Sequence, residues 1–231
     1  MKPELFENEM IERLAELGIT ANEKKLDEKK LQKIEKKYRL SIPEPYRQFL
    51  LMYEEGAPDQ DIHYPAIESI PRADKNNMLS FGSFLVAVDG PDSLEKHVKN
   101  YYERIPSSLL PIATDLTGNL ICMGLSGAAD GRIYYWDHEN ELAAKIMLQM
   151  DLNGITSIDD YWENLYVVAD SFMDFIRNLR LEEETEIKKV SAVIVRESMR
   201  VGFIESMKLA REKLEAAEKE KKAKKVKPKT K

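Results

Sequence analysis

Cysteine is almost missing from this sequence: Cys122 is the single one in 231 residues. A lone cysteine excludes an intramolecular disulfide framework and a multi-cysteine zinc site, and it fits a reducing compartment. Histidine is scarce as well, with only His63, His97 and His138, and no two of these share the i, i+4 spacing by which one helix offers a metal two ligands. Long apolar runs are absent too. No stretch reaches the roughly 18 residues that a membrane-spanning helix requires. The amino-terminal "MKPELFENEMIERLAELG" alternates charged with apolar residues where a secretory signal would be uniformly apolar. The expectation is a cytoplasmic protein with no membrane attachment, no metal and no cofactor.

What the chain has in quantity is charge. With 43% hydrophobic and 33% charged residues, it is long enough for one core of about 150 to 180 residues plus an appendage. The net charge of −6 is unevenly placed, because residues 219–231, "KEKKAKKVKPKTK", hold eight Lys against one Glu, which leaves −13 on residues 1–218. A body this acidic disfavours nucleic acid and favours basic partners, and only the Lys-rich tail offers weak contact with something anionic. Such a like-charge block is expected to be disordered.

Hydrophobic spacing divides the chain further. Pro3 and Gly18 bracket a first helix, Leu31, Ile34 and Tyr38 make the apolar stripe of a second, and Tyr46, Phe49, Leu50 and Tyr53 that of a third. Pro43 and Pro45 suit the first turn of that third helix and Gly56 its stop. Short strand-like runs follow, notably "LSFGSFLVAVDG", then a helix in "PDSLEKHVKNYYERIP". Asp115, Thr117, Gly118 and Asn119 form a turn ahead of a β-hairpin made from "LICMGL" and "RIYYWDHEN". Alternation places Ile133 and Tyr135 on one face of the second strand and Tyr134, Trp136 and His138 on the other. A strand running that far points Asp137 and His138 to opposite faces. The segment "SIDDYWENLYVVADSFMDFIRNLR" is predicted as one long docking helix opened by a Ser157 and Asp160 capping pattern. Residues 181–218 read as a helical extension with two apolar stripes, one of them Met199, Phe203, Met207 and Leu214.

Several pieces in this order resemble the SUKH superfamily, a group of bacterial toxin-immunity proteins that also includes a fungal regulator of cell-wall synthesis. The pieces are Ile34 and Glu35, then Pro43, Tyr46, Phe49, Leu50 and Gly56, then Phe81 and Gly82. After them come "PIATDLTGN" with Asp115, Gly118 and Asn119, the "GRIYYWDHE" strand with Tyr134, Trp136 and Asp137, and "VADSFMDFI" with Phe172 and Phe175. The likeness spans roughly residues 27–180, leaving residues 1–26 as an amino-terminal helical segment outside it. It implies an α+β fold, a mostly antiparallel sheet with helices around it, and action by binding other proteins without catalytic residues. Each matched residue has an ordinary structural role.

The polar triplet Asp137, His138, Glu139 lacks convergent partners for a metal, and Cys122 sits in an apolar strand where a free thiol is a small hydrophobe, not a nucleophile beside His138. The sequence therefore points to a non-enzymatic binding protein. One reading is an immunity protein that neutralises a basic toxin domain, such as a nuclease, through loop carboxylates. The candidates are Asp59, Asp61, Asp89, Asp92, Asp130 and Glu139. The alternative is an intracellular adaptor or regulatory scaffold whose carboxy-terminal helix recruits a partner or pairs with a second copy as a homodimer.

Overall fold

Pro3 opens α1 (Pro3–Glu16), and Gly18, at a φ of 78°, turns the chain out of it. Met10 and Leu14 on this helix, with Leu17 and Ile19 just beyond, are buried. Asp27 starts α2 (Glu28–Tyr38) by accepting the Lys29 amide, and Leu31 and Ile34 give the helix its buried side. Pro43 and Pro45 fix the first turn of α3 (Glu44–Met52), whose Tyr46, Phe49 and Leu50 are all buried. The Glu35 carboxylate joins the two helices by accepting the Ile42 amide at 2.8 Å and pairing with Arg47.

The computed structural model describes residues 3–150 and 155–181. The expected helical extension with Met199, Phe203, Met207 and Leu214, and the Lys-rich residues 219–231, lie outside the described residues.

Two antiparallel sheets follow the helices. The smaller orders β2 (Met78–Phe81), β1 (Ile62–Pro65) and β8 (Arg180–Leu181). The larger orders β3 (Ser83–Phe84), β4 (Leu109–Thr114), β5 (Leu120–Gly124), β6 (Ile133–Trp136) and β7 (Leu165–Ala169). In the chain, α4 (Leu94–Asn100) follows β3, α5 (Glu141–Met150) follows β6, and α6 (Phe172–Asn178) follows β7. The fold is therefore α+β with antiparallel sheets and helices packed around them.

Strand alternation sorts β6 between two cores. Ile133 and Tyr135 enter the main one, while Tyr134 and Trp136 enter a second with Leu109, Leu120, Cys122 and Leu165. The main core is built on aromatic rings from α3, β2, β3 and α6. Phe49 lies 4.8 Å from Phe84 and 4.6 Å from Tyr53, Phe81 lies 4.8 Å from Phe84, and Phe172 meets Tyr46 edge-on at 5.5 Å. Phe175 closes it against Tyr64. The buried Tyr46 hydroxyl donates to the Leu85 carbonyl at 2.9 Å, so this polar group is satisfied inside an apolar cluster.

Three expectations need correction. The long helix over 157–180 is instead a strand and a short helix. Leu165–Ala169 forms β7 beside β6, and only Phe172–Asn178 is helical. Leu165, Val168, Phe172 and Phe175 fit a helical period, but pairing with β6 makes residues 165–169 a strand, in which Leu165 and Val168 enter different cores. The Ser157 and Asp160 capping box is real, yet it caps only a 3₁₀ turn, Ile158–Asp160. Gly56 does not stop α3, which ends at Met52. Its carbonyl accepts the Phe84 amide, and a Cβ there would stand 2.1 Å from the Phe84 carbonyl oxygen. Close backbone approach is what requires that glycine. Finally, β6 ends at Trp136, so His138 lies on a turn rather than on the strand.

Candidate functional site

Where β6 ends, the Asp137, His138, Glu139 triplet divides: Asp137 and Glu139 share Arg72, and His138 turns to Asn119. Asp137 caps a 3₁₀ turn by accepting the Glu139 amide at 3.0 Å, takes a hydrogen bond from Asn140 Nδ2 at 2.9 Å, and faces Arg72 at 3.7 Å. Glu139 also pairs with Arg72. His138 turns the other way, with its amide and Nδ1 at 3.0 and 2.7 Å from Asn119 Oδ1. Asn119 in turn belongs to the β4–β5 turn. There the buried Asp115 carboxylate accepts from the Thr117 amide (2.7 Å) and hydroxyl (2.8 Å), the Asn119 amide (2.8 Å) and Nδ2 (2.7 Å), and the Tyr135 hydroxyl (3.3 Å). Gly118 closes the turn at a φ of 94°. Burial, with the Asp115 charge beside it, pushes the Tyr135 hydroxyl above its ordinary range. This is a polar knot that ties two strand ends together, and every member has a structural task.

The remaining chemistry-bearing residues stay apart. Cys122 is fully buried, and that burial raises its thiol well above the usual value, which disfavours a thiolate. His63 lies on β1, and His97 lies on α4 with its Nδ1 3.0 Å from the Ser93 carbonyl oxygen. Among the described residues no group of three or more His, Cys, Asp or Glu is disposed to hold a metal ion. No helix among them is long and apolar enough to cross a membrane.

The six candidate carboxylates occupy several separate loops. Asp59 and Asp61 are exposed ahead of β1, with Asp59 packed beside Gly18. Asp89 is exposed and stands 3.6 Å from Lys30 of α2. Asp92 is half-buried, accepting from the Ser83 hydroxyl at 3.0 Å while its carbonyl takes the Val86 amide, so it holds a turn. Asp130 is exposed in the β5–β6 loop, and Glu139 lies beyond the other end of β6, so these two do not converge. Nor is the body uniformly acidic. Residues 24–47 carry nine Lys or Arg against four Asp or Glu, and Lys29, Lys33 and Lys36 form an exposed i, i+4, i+7 row on α2.

A concavity that sequence reasoning did not single out lies at the opposite end of β4 from the knot. It is a groove of about 600 Å³ between the carboxyl ends of α2 and α4, residues 105–111, the start of the β5–β6 loop, and Ser157–Asp159. Ile105, Leu109 and Leu125 are among its apolar lining residues, Tyr38, Tyr101 and Tyr102 among its aromatic ones, and Arg39, Glu103 and Asp159 are its charged ones. Tyr102 is 67% exposed. Arg39 and Glu103, at φ 54° and 58°, are two of the three non-glycine residues in the left-handed region among the described residues. Asp159 is held in place by the Ser107 amide at 2.6 Å. Arg104 braces one wall: its guanidinium sits 4.4 Å from the Tyr101 ring centroid and makes two 2.7 Å hydrogen bonds to Glu141. The tyrosine pair just ahead of Pro106 was the available signal, since adjacent aromatics after a short helix cannot both face its core.

With this geometry in place, comparison with known proteins supplies a context. A family model described as SMI1 / KNR4 family (SUKH-1) matches residues 25–178. The SPbeta prophage-derived uncharacterized protein YokK of Bacillus subtilis (strain 168) is 26% identical over 171 residues, covering 69% of this chain and 77% of that protein. The matched span runs from just before α2 to the end of α6, and α1 lies outside it while packing into the same core.

Proposed function

Because the chain belongs to the SMI1/KNR4 family (SUKH-1), we propose that it is a non-enzymatic protein-binding module of the toxin-immunity type, which neutralises a cognate basic toxin domain. The family match over residues 25–178 carries this reading. The charge of −13 on residues 1–218 supports a basic partner, since complementary potentials steer encounter and disfavour wrong partners. Asp59, Asp61 and Asp130 suit that steering, being exposed and without an ion-pair partner among the described residues. Asp92 and Glu139 suit it less, because one holds a turn and the other is engaged with Arg72.

The test is co-expression with the toxin domain of any secreted toxin found to be encoded next to this gene. Restored growth and an isolable complex are the expected result; arrested growth despite full expression of the chain overturns it. Within such a complex, reversing Asp59, Asp61 and Asp130 to Lys slows association and flattens its salt dependence, because rim charges act on encounter and are screened.

A further inference from the structure

Resting on the reading of the chain as a binder of a basic protein, we infer that the groove at the Leu109 end of β4 receives a lysine or arginine side chain carried on a loop of that partner. Its lining supplies what such a side chain requires. The long aliphatic stem of Lys or Arg favours an apolar floor, which Ile105, Leu109 and Leu125 offer, while the cationic head favours carboxylates and aromatic faces. Glu103 and Asp159 are the carboxylates, and Tyr102 is the exposed ring. Neither carboxylate has an ion-pair partner among the described residues. The wall already shows the same chemistry within the chain, where Arg104 stacks on Tyr101. Arg39, also in the lining, carries the opposite sign and so sets the sense of docking, with the incoming cation directed to Glu103 and Asp159 and away from α2.

Backbone conformation adds a second argument. Glu103 and Arg39 hold left-handed conformations that glycine would adopt with less strain. Each of these positions nonetheless carries a charged side chain, and both line the one groove. A volume of about 600 Å³ also exceeds what one side chain fills and suits a loop of a few residues.

The experiment is a methyl and amide NMR titration of the full chain with N-acetyl-arginine amide, N-acetyl-lysine amide and N-acetyl-glutamate amide in parallel. The expected result is saturable shifts at Ile105, Leu109 and Leu125 with the two cationic probes and none with the anionic one. Glu103→Gln weakens the arginine probe about tenfold, the loss of one charge-assisted contact. Glu103→Gly weakens it equally while raising the melting temperature, a combination that a merely structural Glu103 would not produce. Shifts scattered over the surface, equal shifts with the glutamate probe, or an unchanged affinity in Glu103→Gln each overturn the inference. Tighter binding of free L-arginine than of the blocked amide overturns the loop and makes the groove a small-molecule site. The outcome separates from the immunity reading. Rescue by the co-expressed chain without probe binding places the toxin elsewhere on the surface, and probe binding without rescue leaves a cation groove on a protein with another partner.

Discussion

At the Thr114 end of β4 the buried Asp115 carboxylate takes five hydrogen bonds and Asn119 links it to His138, so the polar groups there are paired with one another. At the Leu109 end, one strand length away, Tyr102 stands out in solvent, Glu103 carries strain without an ion pair among the described residues, and a groove is left open. Both ends use the same residue types: tyrosines, carboxylates and serine or threonine. What differs is satisfaction. A fully paired buried network rigidifies a fold, whereas exposed rings and carboxylates without an ion pair around a concavity leave interactions to be made with something else.

The largest expected effect concerns the ring beneath both ends. Trp136 is almost fully buried and meets Tyr101 edge-on at 5.5 Å. Trp136→Ala should lower stability by about 3–5 kcal/mol in denaturant unfolding. It should also broaden the Tyr101 and Tyr102 resonances, because the groove wall rests on that ring.

Next is the knot itself. Asp115→Ala strands four donors of the β4–β5 turn and the Tyr135 hydroxyl, and a loss of about 2–3 kcal/mol is expected by thermal or denaturant unfolding. A loss below about 0.5 kcal/mol would break the comparison, because the knot would then be no more structural than the groove.

The third prediction sets pH against the brace behind the groove. Hydrogen bonds from Arg104, opposed by burial and helped by Lys145, hold the Glu141 carboxyl at about 2. Since the folded value lies below the unfolded one, the stabilisation is fully present above about pH 4.5 and fades as pH falls toward 2. Glu141→Gln should cost about 1–2 kcal/mol at pH 7 and flatten stability over that acidic window. A variant curve parallel to the parent's from pH 5 to pH 2 would show that the brace carries no such linkage.

The smallest effect has the opposite sign. Glu103→Gly should raise stability by about 0.5 kcal/mol, because glycine accepts the left-handed conformation that glutamate holds under strain. A gain of stability at the groove beside losses at the knot is the sharpest form of the contrast.

Legibility in the sequence followed the same divide. The Asp115–Asn119 turn, the hairpin after it and the facing of Tyr134 and Trp136 could be read because they depend on neighbours a few residues away. The α3 stripe was legible for the same reason. Strand β7 was not, since its apolar positions also satisfy a helical period and only the β6 partner distinguishes the two. The acidic candidates lie outside the strands and α-helices, Glu139 on a 3₁₀ turn, but nothing local revealed that Asp92 holds Ser83 or that Glu139 holds Arg72. The groove was least legible of all. Its residues come from four separate stretches of chain, and only the topology brings Tyr38, Tyr102, Leu125 and Asp159 to one place.

The packing of α1 on α6 bears on how the domain assembles in time. Arg177 clasps Glu9 with two hydrogen bonds of 2.6 and 2.9 Å, and Arg13 reaches the Leu179 carbonyl 166 residues along the chain. A contact of such sequence separation closes the longest of loops, whose entropy must be lost before the contact returns anything. Docking of α1 therefore belongs to the late part of folding, after the hairpins have formed from local pairings. By the same token it is the helix best placed to lift off first when the native state opens partially, baring Met10 and Leu14 while the sheets stay closed. Amide exchange in α1 would then outpace exchange in β4 and β5 without unfolding of the whole.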